Sequence, residues 1–332
     1  MTYKQDPMTD IPVSSLTYAI KGQRLLEQNG YTAWAGRDHD RVTGCGYKLT
    51  IRAARQSRNG AGAADAKRHP SGPQVPGWGR RWRQVIYFDN AATTFPKPPC
   101  VVKAVNEALL RYGANPGRSG HDLSLQTAQK VFECRERVGK LFHCQPEQVI
   151  FTKNCTESIN AAIKGIVRPG DHVIISDLEH NAVYRVVESL RRQGIIQYDV
   201  APVFADDQKT LWHFEHLLRS NTRLIACTHG SNVFGFCVPI EQIGLMARRR
   251  GIFMLVDAAQ TAGLLDYDLR RMPIDYLCMP GHKGLYGPAG TGILIVNTEH
   301  LPDPLCEGGT GSLSMEPTIA GLFAGSSGKT ER

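Results

Sequence analysis

The sequence lacks several features that would place the chain in a specialised class of protein. It has no run of about 18 apolar residues, which a membrane-spanning helix needs. Its N-terminus also lacks the basic, apolar and small-residue order of a signal peptide. The 9 cysteines are odd in number and scattered, so they do not indicate a disulfide framework. These absences favour a globular cytoplasmic protein, and we expect no membrane partner.

Positive charge is in excess only at the start of the chain. Residues 1–84 carry 14 Lys and Arg against 6 Asp and Glu, whereas the remainder is balanced. A basic run can mark a nucleic-acid contact, but residues 54–84 offer few aromatic rings for stacking and are rich in glycine and proline. We therefore interpret residues 54–84 as a flexible basic linker, with no nucleic-acid partner. Trypsin should cut there and release a core that starts near Val85.

A small α/β domain is predicted over residues 1–53. Short β-rich segments indicate strands at residues 11–13, 31–35 and 47–51. A helix is expected over residues 17–28, where a suitable apolar face precedes a helix-stopping Asn-Gly pair. A unit of this size buries a marginal core at best.

Residues 85–332 alternate between apolar strands and helices, the pattern of a layered α/β domain with a mostly parallel sheet. Seven strands are predicted, several as continuous apolar runs of the kind covered on both faces. They span residues 148–152, 172–176, 195–200, 223–228, 252–256, 276–279 and 292–296, with helices at 158–166, 182–192 and 240–249. Ligands of such sheets bind beyond the carboxyl ends of the strands, where the polar motifs of this chain lie.

Two charged residues follow neighbouring predicted strands. Asp257 ends an apolar strand, and Lys283 lies in a glycine-rich turn after the next strand. Alone, Asp257 could cap a turn and Lys283 could be an ordinary surface charge. Because a buried carboxylate needs a partner, the pair suggests a Schiff-base lysine and a carboxylate that keeps a pyridinium nitrogen protonated.

Two further motifs also follow strands. Residues 149–158 join a strand to a helix that Thr156 could cap, and the free N–H groups of a helix start suit a phosphate. The alternative is an ordinary helix cap without a ligand. His180 could stack on a pyridine ring, or it could be a loop histidine that faces solvent.

Eight ordered motifs resemble the signature of cysteine desulfurases and selenocysteine lyases, enzymes of the class V aminotransferase fold. The motifs are residues 87–94, 115–121, 154–157, 179–181, 231–235, 257–260, 281–283 and 307–311. The resemblance implies the large domain of a fold-type I PLP-dependent transferase, with three layers and a mostly parallel sheet, behind the small α/β domain. It implies pyridoxal 5'-phosphate (PLP) as the cofactor and no metal.

The resemblance assigns roles by position. Lys283 would bond covalently to the cofactor, and Asp257 would pair with its pyridine nitrogen. Gln260 would approach the ring hydroxyl, and His180 would stack on the ring and assist proton transfer. Lys283 and His180 are therefore the candidate catalytic residues.

Other positions would hold the phosphate or the substrate. Thr156 and His282 would bind the phosphate, Thr310 would reach the phosphate of a neighbouring subunit, and Asn232 would contact cofactor or substrate. Pro280 stands where many relatives have a phosphate-binding Ser or Thr, so one hydroxyl contact is absent.

The implied reaction converts L-cysteine or L-selenocysteine to L-alanine and passes the sulfur or selenium, as an enzyme-bound persulfide in the sulfur case, to an acceptor protein. Thr310 and the segment around Arg118 look like positions that meet across a subunit interface, so a homodimer is expected. Family members continue beyond the motif at 307–311 with a carboxylate-binding Arg and a nucleophilic Cys. We therefore expect a C-terminally truncated form with little or no turnover.

Three alternatives stay open. The first is another class V transferase or lyase, and the second is a non-catalytic fragment that binds PLP. The third is a sulfur or selenium carrier: Cys45, between two glycines before a strand, resembles the candidate residue of small selenium- or sulfur-carrier domains. Cys45 could equally be a small residue in a tight turn. Persulfide formation from cysteine would separate desulfuration from all three.

Overall fold

The computed structural model describes residues 8–13, 33–37, 47–52, 86–116 and 121–307 of the 332-residue chain. These residues belong to two compact units. The helix predicted over 17–28, the linker over 54–84, and Cys45, Arg118 and Thr310 all lie outside the described ranges, so the predictions about them stand as predictions.

The smaller unit contains a three-stranded antiparallel sheet. Its strands are β1 (Met8–Val13), β2 (Ala33–Arg37) and β3 (Tyr47–Arg52), in the spatial order β1-β3-β2. The three predicted strands are thus present, the first longer than expected and the second displaced by two residues.

The larger unit is built on a seven-stranded sheet, and all seven predicted strands are present. The strands are β4 (Val149–Thr152), β5 (Asp171–Ser176), β6 (Ile196–Ala201), β7 (Thr222–Thr228), β8 (Phe253–Asp257), β9 (Tyr276–Pro280) and β10 (Gly292–Val296). Their order is β4-β10-β9-β8-β7-β5-β6. Strand β10 is antiparallel to both of its neighbours, and the other pairs are parallel. The predicted mostly parallel sheet is confirmed.

Six α-helices accompany this sheet in the described part of the unit. They are α1 (Pro99–Arg111), α2 (Asp122–Phe142), α3 (Cys155–Ile166), α4 (Asn181–Arg192), α5 (Asp207–His216) and α6 (Ile240–Arg249). Helices α3 and α4 share one buried apolar core with alternate residues of the central strands. Because successive strand residues face opposite sides, the intervening buried residues form a second core, on the face where α6 packs against β8. None of the described helices is long and apolar enough to span a bilayer.

The sequence of α4 shows how this arrangement is held. Val183, Val186, Val187 and Leu190 recur at helical spacing and are buried against the sheet. Burying each such side chain contributes about 1.5–3 kcal/mol of transfer free energy. This packing fixes the helix, and therefore also the residue that begins it, at the carboxyl edge of β5.

The parallel strands β5, β7, β8 and β9 all end at the same edge of the sheet. Their last residues are Ser176, Thr228, Asp257 and Pro280. The polar motifs of the sequence are therefore carried to one edge, as the sequence analysis predicts.

Candidate active site

Asp257 is a buried carboxylate at the end of β8, only 2% exposed. Its Oδ1 accepts a hydrogen bond from the Ala259 N–H at 2.9 Å and from the Cys155 thiol at 3.4 Å. Burial raises the pKa of Asp257, while these two hydrogen bonds and the positive charges of His180 and Lys283 oppose the rise. The carboxylate thus has the partners that the sequence analysis required.

Lys283 lies in the loop between β9 and β10 and is half-buried. Partial burial lowers the pKa of its ammonium group, and the negative charge of Asp257 acts in the opposite direction. The two residues therefore lie close enough to influence each other's ionisation. A lowered pKa increases the share of neutral amine, the form that attacks carbonyl carbons.

Glycines allow the Lys283 loop to follow its path. A Cβ atom at Gly281 would lie 2.3 Å from the Thr291 Oγ1, and one at Gly284 would lie 2.2 Å from the Ala262 carbonyl oxygen. Both distances are far below van der Waals contact, so other residues would displace the loop. The glycine-rich turn is needed to bring the lysine to this place.

A second segment, which we call the clasp, holds the same loop from outside. The clasp consists of Thr93, Thr94 and Lys97. The His282 carbonyl oxygen accepts hydrogen bonds from the Thr94 N–H at 3.2 Å, the Thr94 hydroxyl at 3.0 Å, the Thr93 hydroxyl at 3.2 Å and the Lys97 Nζ at 2.6 Å. Both threonines lie in the motif at residues 87–94 but had no predicted role, and Lys97 lies outside every predicted motif.

His282 itself is held by the clasp. Its Nδ1 lies 3.0 Å from the Thr93 hydroxyl. Burial and the nearby charges of Lys283 and Lys97 lower the pKa of the ring, and the contact with Thr93 uses Nδ1 and not Nε2.

His180 begins α4 as its N-cap residue. The Nδ1 accepts a hydrogen bond from the Ala182 N–H at 3.1 Å, so the ring proton of the neutral form is on Nε2. Burial lowers the pKa of His180, as do Lys283 and Arg185, whereas Asp257 raises it. The structure therefore brings His180, Asp257 and Lys283 together, as the sequence predicts, while ring stacking stays a prediction.

Glu179, the residue before His180, is a buried acid in the motif at residues 179–181, and no role was predicted for it. It is 2% exposed. Its Oε1 accepts hydrogen bonds from the Ser176 hydroxyl and from the Thr228 N–H at 2.8 Å, which ties the end of β5 to the end of β7. The Oε2 has no partner among the described residues. Burial raises the pKa of Glu179 to about 8.

The start of α3 differs from the prediction. The cap is Asn154, whose Oδ1 accepts from the Glu157 N–H at 2.8 Å, and not Thr156. Asn154 precedes the first helical residue and has the extended backbone of a cap, whereas Thr156 is already the second residue of the helix. The prediction that Thr156 caps α3 is therefore wrong.

Thr156 nevertheless lies beside the other candidates. Thr156 and His180 line a cavity of about 390 Å³ between α3 and α4, whose walls also carry Lys164 and Arg185. Helix starts present N–H groups without helical partners, and the two cations add positive potential. This surface is chemically suited to an anion.

The remaining predicted residues are placed as follows. Gln260 donates from Nε2 to the Ala91 carbonyl oxygen at 3.0 Å. This hydrogen bond uses one of its two N–H groups and does not use its Oε1. Asn232 is exposed in a turn closed by the Ser231 N–H and the Phe236 carbonyl oxygen at 3.0 Å. Pro280 is buried in β9, opposite Gly292 of β10.

Comparison with known proteins gives a consistent picture. The aminotransferase class-V family model matches residues 86–319. A probable cysteine desulfurase of Methanothermobacter thermautotrophicus is 37% identical over 220 residues, which are 65% of this chain and 54% of that protein. The chain spans about half the length of the curated relatives it matches.

Solved structures show the same likeness. The apo cysteine desulfurase of Thermococcus onnurineus NA1 aligns with a TM-score of 0.59 and 32% identity over 64% of this chain and 54% of its own. The protein SspA, solved in complex with cysteine, aligns with a TM-score of 0.60 and 32% identity over 67% of this chain and 65% of its own. The predicted fold class is confirmed.

Proposed function

The chain belongs to the aminotransferase class-V family, and from this premise we propose that its larger unit binds pyridoxal 5'-phosphate and serves a cysteine desulfurase reaction. The observation that carries the proposal is the meeting of Asp257 and Lys283 at the ends of the adjacent parallel strands β8 and β9. A buried carboxylate beside an amine of lowered pKa costs folding stability, and such perturbed ionisable groups cluster at functional sites.

The donor set fits this cofactor. Its ring nitrogen needs a buried carboxylate, which Asp257 offers, and its aldehyde needs a neutral amine, which Lys283 offers. Its phosphate needs N–H donors and positive charge, which the start of α3 and the neighbouring cavity offer. When bound, the cofactor supplies an electron sink for the substrate's α-carbon.

The protein residues would then act in distinct ways. Lys283 would hold the cofactor covalently and would move a proton at the substrate's α-carbon. Asp257 would keep the ring nitrogen protonated. His180 would stack on the ring and would exchange protons through its Nε2, because its Nδ1 is engaged by α4. Thr156 and His282 would hold the phosphate.

The substrate proposal is L-cysteine, which becomes L-alanine while its sulfur passes to an acceptor thiol as a persulfide. The names of the relatives support this reaction, and so does SspA, a neighbour solved with cysteine. We further propose a homodimer in which Thr310 reaches the partner's phosphate site. Asn232 would contact the cofactor or the substrate, and an acceptor protein would take the sulfur.

The test is spectroscopic and needs only the purified chain. With PLP we expect a visible absorbance band from the lysine-bound cofactor, and we expect the Lys283→Ala variant to lose it. The control is Lys153→Ala, since Lys153 is 83% exposed and forms a surface ion pair with Glu157. A band of equal strength in the Lys283 variant would refute the assignment.

Addition of L-cysteine and an acceptor thiol extends the test to the reaction. Equal amounts of alanine and persulfide support desulfuration. Transfer of the amino group, or elimination without persulfide, would instead assign the chain to another class V reaction.

A further inference from the structure

Cys155 is the first residue of α3, and the residue is 9% exposed within the core between the helices and the sheet. Its Sγ lies 3.4 Å from Oδ1 of Asp257. The two residues are 102 positions apart in the chain, so the contact is made by tertiary folding and joins the α3 start to the end of β8.

The contact has a definite direction. Asp257 is a carboxylate and can only accept, so the thiol donates. The Ala259 N–H donates to the same oxygen at 2.9 Å. Two donors therefore converge on Oδ1, which leaves Oδ2 to face a different partner.

From this convergence we propose that Cys155 is a positioning residue that orients Asp257 toward the cofactor's ring nitrogen. The inference rests on the proposed function, because it takes Asp257 as the partner of that nitrogen. Cys155 holds one oxygen through S–H···O, so the other oxygen and its charge are directed to the ring. The thiol acts through Asp257 and does not touch substrate.

The alternative role of Cys155 as a sulfur-accepting nucleophile does not fit its surroundings. Burial, together with the negative charge of Asp257, raises the pKa of the thiol. The thiol therefore stays protonated at physiological pH, and the thiol form is a poor nucleophile. The same protonation is what a hydrogen-bond donor requires.

The first test compares Cys155→Ala and Cys155→Ser in the PLP-loaded chain. Alanine removes the donor. The PLP dissociation constant should therefore rise roughly threefold to tenfold, which corresponds to the net free energy of one hydrogen bond. Serine keeps a hydroxyl donor of similar length and should restore affinity. The matched control is Cys278→Ala: Cys278 is also buried in this core and feels Asp257, but its thiol makes no hydrogen bond to it among the described contacts.

The pH profile of PLP binding gives a second signature. Acidification protonates Asp257 and weakens binding, and loss of the thiol donor raises the pKa of Asp257. The acidic midpoint of binding should therefore move to higher pH in Cys155→Ala, by about half a unit to one unit, and not in Cys155→Ser or Cys278→Ala. The other titratable groups that interact with Asp257 are the same in wild type and in the Cys155 variants. They are His180, Lys283, Glu179, Cys227, Tyr267 and Cys278.

A third measurement does not need the cofactor. In the PLP-free chain, the infrared S–H band of Cys155 should be displaced by its bond to a carboxylate, should vanish in Cys155→Ala and should move in Asp257→Asn. If wild type binds no PLP, the proposed function fails, and the infrared band alone decides the contact. Equal PLP affinity and pH midpoint in wild type and Cys155→Ala, an equal loss in Cys278→Ala, or an S–H band insensitive to Asp257 would each overturn the proposal.

Discussion

Replacing Glu179 by glutamine should change how the stability of the chain depends on pH. Glutamine preserves the shape of the side chain, and its Oε1 can still accept from the Ser176 hydroxyl and the Thr228 N–H. It removes the ionisation and places an amide NH2 where Oε2 has no partner among the described residues, a change that does not depend on pH. In the folded protein burial raises the pKa of Glu179 to about 8, whereas an unfolded glutamate has a pKa near 4.3.

The sign follows from proton binding. Between these two values the folded chain keeps a proton that the unfolded chain has lost, so each rise in pH favours unfolding. The stability linked to Glu179 is complete below the unfolded pKa and is lost as pH rises toward the folded one. The slope is about 1.4 kcal/mol per pH unit, so moving from about pH 5.5 to about pH 7.5 should cost roughly 2.7 kcal/mol.

Urea unfolding of wild type and Glu179→Gln, followed by circular dichroism at a series of pH values, measures this difference. The free energy of unfolding of the glutamine variant minus that of wild type should increase by roughly 2.7 kcal/mol between about pH 5.5 and about pH 7.5. Glu188→Gln is the control: bonds to Arg191 and Arg192 lower the pKa of Glu188 to about 2, so its difference should stay flat over the same interval. A flat difference for Glu179 as well would mean that this carboxyl is ionised in the folded chain, and the reasoning would be refuted.

Two predictions concern the loop that carries Lys283. Gly284→Ala places a Cβ atom 2.2 Å from a backbone oxygen. It should lower the free energy of unfolding in urea by about 1–3 kcal/mol and weaken PLP binding. The control Gly113→Ala, whose Cβ would have its nearest neighbour at 3.6 Å, should change neither quantity. Lys97→Met removes the 2.6 Å hydrogen bond to the His282 carbonyl oxygen and should lower the free energy of unfolding by about 1–3 kcal/mol. The same change at the exposed Lys103 should leave stability and PLP affinity unaltered, and equal behaviour of the two lysine variants would contradict the clasp.

The strands of the larger unit could be predicted because burial on both faces leaves a direct mark on the sequence. Each central strand is a short run of apolar residues, and β7, β8, β9 and β10 are buried almost throughout. Their order could not be predicted. Nothing local distinguishes β10, which is antiparallel and lies between β4 and β9, because pairing depends on the whole set of competing strands.

The start of α3 shows a limit of a different kind. Asn154 and Thr156 are both good capping residues, and they lie two positions apart. Which one caps is decided by where the chain leaves β4 and turns helical, and that point is fixed by tertiary packing. The sequence therefore predicts a capped helix start, but it does not select the capping residue.

The candidate site divides along a similar line. Asp257, Lys283 and His180 could be found from sequence, since each lies at the end of a strand or a few residues beyond it, and each needs its own side-chain chemistry. The support around them could not, because the contacts join distant segments through atoms that carry no side-chain signal. The His282 carbonyl oxygen accepts four hydrogen bonds, yet any residue at position 282 would offer the same oxygen. Three of the four donors, the Thr93 and Thr94 hydroxyls and the Lys97 ammonium, depend on residue type. Substitutions at these positions should therefore reveal this support, whereas the carbonyl they hold cannot be tested by a change of side chain.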